Sequence, residues 1–123
     1  MPQKLKPGPI QRKWLNSLRN YPDRQMKEKL GEMQPDGTYR ACCLGELCLI
    51  AGLGVWHNGT LIDQNRGYSG LFSSFEQLGL RSAAGHLENK ETSLSAMNDK
   101  YKTWPEIADF VEANFDKVFT KSY

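Results

Sequence analysis

The chain has 123 residues, 39% of them hydrophobic and 24% charged, with a formal net charge of +2. That length fits a single domain whose core folds without disulfide or metal support. No apolar run approaches the ~20 residues of a membrane-spanning helix, no apolar leader segment opens the chain, and three cysteines cannot all pair internally, so the expectation is a protein of a reducing cytosol that touches no membrane.

Charge is unevenly spread. Residues 1–40 carry nine Lys/Arg against four Asp/Glu, a net +5, whereas residues 41–123 carry seven against ten, a net −3. The basic first third suits an anionic partner, with nucleic acid as one candidate. The acidic remainder argues against a surface that binds nucleic acid throughout.

Residues 1–8 hold two prolines, two lysines and a glycine and read as a flexible basic tail, with residues 9–123 as one globular domain. Pro9 suits a first helical turn, and Ile10, Trp14, Leu15 and Leu18 recur at helical spacing, which predicts a helix over about 9–20. Tyr21-Pro22 ends it, because the residue before a proline avoids the helical region. The charged stretch 23–30 is read as a short helix. Pro35-Asp36-Gly37 is a turn signal. Residues 41–51 read as a helix, with Leu44, Leu47, Cys48 and Ala51 on one stripe and Gly52 as its stop. Asn58-Gly59 between Val55-Trp56-His57 and Thr60-Leu61-Ile62 predicts a β-hairpin. Residues 63–70 read as a loop, 71–78 as a short helix closed by Gly79, and Gly85-His86-Leu87 as a candidate edge strand. Thr103 and Glu106 form a capping-box pattern with Pro105 in the first turn, so the last helix is expected over about 104–118, with Ile107, Phe110, Val111 and Val118 on its inner stripe. The expected class is α+β: a mostly helical single domain with a small antiparallel β-hairpin.

All three cysteines fall within Ala41-Cys42-Cys43-Leu44-Gly45-Glu46-Leu47-Cys48. On a helix Cys43 and Cys48 stand about 140° apart, and no C-x-x-C spacing exists for a redox pair or a zinc knuckle. Packed core thiols, a reactive thiol and a metal site that borrows His57 and His86 are the competing readings, with the packed core preferred. No metal or cofactor is therefore assigned, and no catalytic residue. Glu46 is placed on the exposed face of this helix, with a buried position beside a basic residue as the alternative.

Candidate binding residues gather in and near loops. Trp56, His57, Arg66, Tyr68 and Arg81 combine cations with rings that can pair a phosphate and stack a base. Asn98-Asp99 reads either as a turn or as an exposed polar pair that grips a ligand. No glycine-rich phosphate loop accompanies them.

Tyr39-Arg40-Ala41-Cys42-Cys43-Leu44-Gly45-Glu46-Leu47-Cys48 resembles the "YCCLGVLC" segment of a family of small phage and prophage proteins. Leu94-Ser95-Ala96-Met97-Asn98-Asp99 with Thr103-Trp104-Pro105-Glu106-Ile107-Ala108-Asp109-Phe110-Val111-Glu112 resembles the closing "LNDxGxSFxEIADxIE" segment of that family. Lys13-Trp14-Leu15-Asn16-Ser17-Leu18-Arg19 is similar to its first helix. Residues 52–91 match none of its blocks, and Arg40-Ala41 stands between the tyrosine and the cysteines. The family has no settled activity, so the resemblance implies a context: a non-catalytic accessory protein in the host cytosol that modulates a host process, such as defence, by binding a host protein or an anionic nucleotide-like molecule. The alternatives are a small hydrolase using a cysteine or a His/Asp pair, and nucleic-acid binding through the basic N-terminal region.

Overall fold

A computed structural model describes residues 5–27, 29–63, 78–81, 85, 87 and 92–123. The chain is α+β. The first helix, α1 (Pro9–Asn20), starts at its proline and buries Trp14, Leu15 and Leu18, as their spacing predicts. It also buries Gln11, whose neighbours along the sequence gave no hint of this. The Gln11 amide satisfies itself across the fold: Oε1 accepts from the N–H of Gly8 and of Tyr123, each at 2.8 Å, and Nε2 donates to the Lys121 carbonyl at 3.0 Å. A backbone bond from Gln11 to the Tyr123 carbonyl and one from Ser122 Oγ to the Lys6 carbonyl complete the clasp.

The 23–30 stretch does not form the expected helix. A single 3-10 turn spans Pro22–Arg24, after which Gln25 and Met26 run extended and pair with Ala41. Two short strands then flank the Pro35-Asp36-Gly37 turn: β1 (Gly31–Met33) and β2 (Tyr39–Ala41), antiparallel with Glu32 opposite Arg40. Gly37 sits at φ 89°, and the Asp36 side chain accepts from Thr38 N–H and Oγ1, the local bonding that makes Asp favourable in turns. The Asn58-Gly59 hairpin forms as its sequence predicts, with φ values of 51° and 78° joining β3 (Gly54–His57) to β4 (Thr60–Asp63). The two hairpins merge through β1 and β4 into one four-stranded sheet of order β2-β1-β4-β3.

Between the hairpins runs α2 (Cys43–Ile50), with Cys43, Leu44, Leu47 and Cys48 all in the core. Cys42 caps it, its Sγ accepting from the Gly45 N–H at 3.3 Å. A glycine within a helix costs stability, but in the first turn of α2 Gly45 admits a neighbour. A Cβ on Gly45 would fall on the Leu30 carbonyl oxygen, which is itself bonded to the Cys42 N–H.

The last third contains the short helix α3 (Leu94–Ala96), which runs into a π-helical turn over Met97–Tyr101, and then α4 (Trp104–Ala113) and α5 (Phe115–Val118). Thr103 and Glu106 form the capping box read from the sequence. The expected single helix over 104–118 breaks at Asn114, where Nδ2 donates to the Phe110 carbonyl and competes with the backbone ladder. α1 packs against both α2 and α4. Trp14 meets Phe119 edge-to-face at 5.8 Å, and its Nε1 donates to the Cys43 carbonyl at 2.7 Å. Of the expected loop over 63–70 and the expected short helix over 71–78, residues 64–77 lie outside the described residues, as does His86; Gly79 has a φ of 93°. No helix among the described residues is long and apolar enough to cross a membrane.

Gly45→Ala should lower the unfolding free energy by about 3 kcal/mol, the upper range for overpacking a tight site, as read by urea titration. A loss below about 1 kcal/mol would mean that the α2–Leu30 contact gives way easily.

Candidate functional site

The buried carboxylate of Glu46 organises the wall of a surface cleft. Glu46 is 1% exposed, contrary to its expected place on the outer face of α2. Its position follows from partners outside its own helix. Tyr39 donates its phenolic O–H to Oε1 at 2.6 Å, Ser17 Oγ donates to Oε2, and the Arg24 guanidinium lies 3.7 Å from Oε2. The alternative weighed from the sequence, a buried Glu46 reaching a basic residue of the first helix, is realised only in its burial: the cation is Arg24, in the 3-10 turn after α1, and α1 itself contributes Ser17.

Arg24 in turn is held in a stack. Its guanidinium carbon lies 4.0 Å from the Tyr21 ring centroid and 5.0 Å from that of Tyr39, and its Nη1 donates to the Tyr39 oxygen at 3.2 Å. Tyr39 also meets the Trp56 ring at 5.7 Å. These side chains form the wall of a cleft of about 630 Å3, bordered by Tyr21, Asp23 and Arg24 on one side and by residues 36–40 of the β1–β2 hairpin on the other. Tyr21 remains 46% exposed although Arg24 covers part of it. Arg40 contributes a second cation, and Asp23 and Asp36 contribute carboxylates. Burial and the bond to Glu46 push the Tyr39 phenol well above the usual tyrosine range. The Asp36 carboxyl is held below its usual value by the Thr38 bonds.

The residues singled out from the sequence scatter. Trp56 is half-buried and reaches the cleft through Tyr39. His57 ends β3, its Nε2 3.3 Å from Asn58 Nδ2. Arg81 caps a helix instead of facing a ligand: it donates to the carbonyls of Asp116 and Lys117 at the end of α5, where a cation is favourable. Arg66 and Tyr68 lie outside the described residues. Asp99 is partly buried and accepts from Asn98 at 3.2 Å.

Asn98 is corrected most sharply. It is fully buried, not an exposed polar grip. Its Oδ1 accepts from Cys43 N–H at 3.0 Å, Trp104 Nε1 at 3.1 Å and Gln25 Nε2 at 3.3 Å, while Nδ2 donates to the Met26 carbonyl at 2.7 Å. Gln25 reinforces it, with Nε2 donating to the Lys102 carbonyl and Oε1 accepting from Trp104 N–H, each at 2.9 Å. A buried amide with every valence used inside the fold has none left for a ligand.

The cysteines are core residues. Cys42 is 7% exposed, and Cys43 and Cys48 are fully buried. Burial pushes the Cys42 thiol up to about 11 and Cys43 well above the ordinary thiol range, the opposite of an activated nucleophile. Among the described residues no group of three His, Cys, Asp or Glu is placed to hold a metal ion.

The sequence reading missed Tyr21, Arg24, Tyr39 and Arg40. The signal was present as two aromatic–arginine pairs, Tyr21 with Arg24 and Tyr39 with Arg40, beside two turns. Tyr21-Pro22 had been used only to end a helix. Comparison with protein-family models, curated proteins and solved structures returned no match.

In the folded protein Tyr39 should ionise only well above the value near 10 of an unfolded tyrosine. The native state therefore keeps its full contribution below about pH 10 and loses it as pH rises further. Tyr39→Phe should flatten that alkaline slope and cost about 1–3 kcal/mol at neutral pH by leaving Glu46 one donor short, as measured by urea titrations from pH 7 to 11. An unchanged slope would show that Tyr39 ionises normally. Separately, a thiol reagent should find no reactive cysteine in the native protein and all three in denaturant. A single thiol that reacts at the free rate without denaturant would contradict the packed arrangement.

Proposed function

We propose that this chain is a non-catalytic binding protein, of the phage accessory kind its sequence blocks resemble, which modulates a host process by holding an anionic nucleotide-like molecule in the Tyr21–Arg24–Tyr39 cleft. The observation that carries this reading is Arg24 stacked between two tyrosine rings at the wall of an open cleft, with Tyr21 still 46% exposed. An exposed ring fixed by a cation on one side offers a stacking surface to a planar base. Arg40 supplies charge and a forked donor for a phosphate, since Arg24 is already engaged by Glu46. Asp23 can accept from the exocyclic amine of a base, and together with Asp36 it disfavours a ligand that is anionic throughout.

Binding is favoured over thiol hydrolysis because all three thiols are buried, and burial holds those of Cys42 and Cys43 protonated. It is favoured over nucleic-acid binding along the N-terminal region because three of the nine cations there are already in ion pairs. Arg19 pairs with Asp109 and Glu112, Arg24 with Glu46, and Lys29 with Glu32.

Titration calorimetry with nucleoside mono- and diphosphates and cyclic nucleotides is the direct test. At least one should bind, and Tyr21→Ala or Arg40→Ala should weaken it about tenfold or more, as expected for losing one stacked base or one forked phosphate contact. If no probe binds at millimolar concentration, or if Tyr21→Ala leaves affinity unchanged, the reading fails. Release of hydrolysed nucleotide during the titration would replace it with an enzymatic one.

A further inference from the structure

A second, smaller recess of about 180 Å3 is lined by Gln25, Lys27, Lys100, Lys102 and Thr103, none of which borders the cleft. Three of its five lining residues are lysines and none is acidic. Its floor is rigid: the Gln25 amide is spent on the Lys102 carbonyl, Trp104 N–H and Asn98. Lys100 lies in the π-helical turn Met97–Tyr101, a geometry that is rare and frequently marks functional sites. Among the described residues none of the three lysines forms an ion pair. Of the neighbouring carboxylates, Asp99 accepts from Asn98, Glu106 accepts from Thr103 to cap α4 while its charge also acts on Lys102, and Glu28 lies outside the described residues. The start of α4 adds partial charge of the same sign.

Like charges crowded on a fixed frame repel one another unless an anion sits among them. Three ammonium groups exceed what a singly charged carboxylate needs and suit a dianion, whose several oxygens can each accept a donor. Ammonium groups also serve tetrahedral oxyanions well, because they act as point charges with freely turning donors.

We propose that this recess is a binding site for the phosphate group of a small phosphorylated molecule, distinct from the cleft and independent of what the cleft holds. Inorganic phosphate and pyrophosphate are the probes, titrated against the whole chain at about 0.15 M ionic strength, where the Debye length is about 8 Å, while backbone amide resonances are followed by NMR. Saturable shifts at Gln25, Lys27, Lys100 and Lys102 should appear with a midpoint of about 1 mM or below. Lys100→Ala and Lys27→Ala should each raise that midpoint about fivefold or more, and Lys100→Arg should keep it within about threefold. Lys117→Ala removes the same charge elsewhere and should leave it within about twofold, because surface charges beyond a Debye length are screened. Arg40→Ala should leave it unchanged while impairing the cleft, so failure of one site can be told from failure of the other. All of the substituted side chains lie at the surface, and an unchanged unfolding midpoint confirms that each variant is folded. Shifts that do not saturate below about 10 mM, or an equal loss in Lys117→Ala, would overturn the proposal. Tight binding only to a single-stranded oligonucleotide, with no response to either small probe, would also reject it and point to a polyanion instead.

Discussion

The side-chain amide of Asn98 is buried where α2, α4 and the extended 25–26 segment meet, and a buried amide must find partners at both ends. It does so by taking the Cys43 N–H from the first turn of α2, the Trp104 indole from the first turn of α4, and Gln25 and Met26 from the segment beside β2. Two of these donors would otherwise go unsatisfied, because the first N–H groups of a helix have no partner within it and a buried indole has only one proton to give. One residue thus fixes the start of α2, the seat of α4 and the path of the chain between them. Both candidate sites inherit that rigidity: Gln25 floors the lysine recess, and Arg24, its neighbour, forms the wall of the cleft.

Glu46 imposes a second constraint of a different kind. Burying a carboxylate is costly unless donors and a cation surround it, and a buried ion pair is weak evidence for stability even then. Its contribution here is geometric. Tyr39 and Arg24 each point one way because Glu46 is where it is, and the Arg24 plane then lies between two rings. The guanidinium remains partly exposed, so part of its charge is spent inward and part faces the cleft. A ligand would meet an aromatic wall that is already oriented and would lose less freedom in binding it.

The local rules read well where the signal is local. Proline at the first turn with an apolar stripe gave α1, the Thr103–Glu106 box gave the start of α4, and Asn58-Gly59 gave the hairpin turn. Each rests on residues within about four positions of one another. The strands β1 and β2 escaped because three residues are too few to show alternation, and Gly31 adds no side chain to the pattern. The burial of Gln11, Glu46 and Asn98 was illegible for a related reason: their partners lie at Tyr123, Ser17 and Gln25, out of range of any window. The cleft was missed with Glu46, since its wall exists only once that carboxylate has turned inward. The cysteine segment reads as packing in the structure, and the density of thiols that suggested chemistry reflects a helix buried on nearly every side.

The clasp between Gln11 and residues 121–123 bears on how the molecule assembles. Trp14 and Phe119, Gln11 and Tyr123, and Arg19 and Asp109 all join the first helix to the last part of the chain. Contacts of such long sequence separation carry the full entropy of closing the loop between them, and they slow folding relative to a chain of local pairings. A polypeptide emerging from the ribosome could set α1 against α2 early, but the part of its apolar stripe that meets α4 and Phe119 would stay uncovered until residues 104–119 had been made. Trp14, which anchors the core, is thus made well before Phe119, the ring that closes over it.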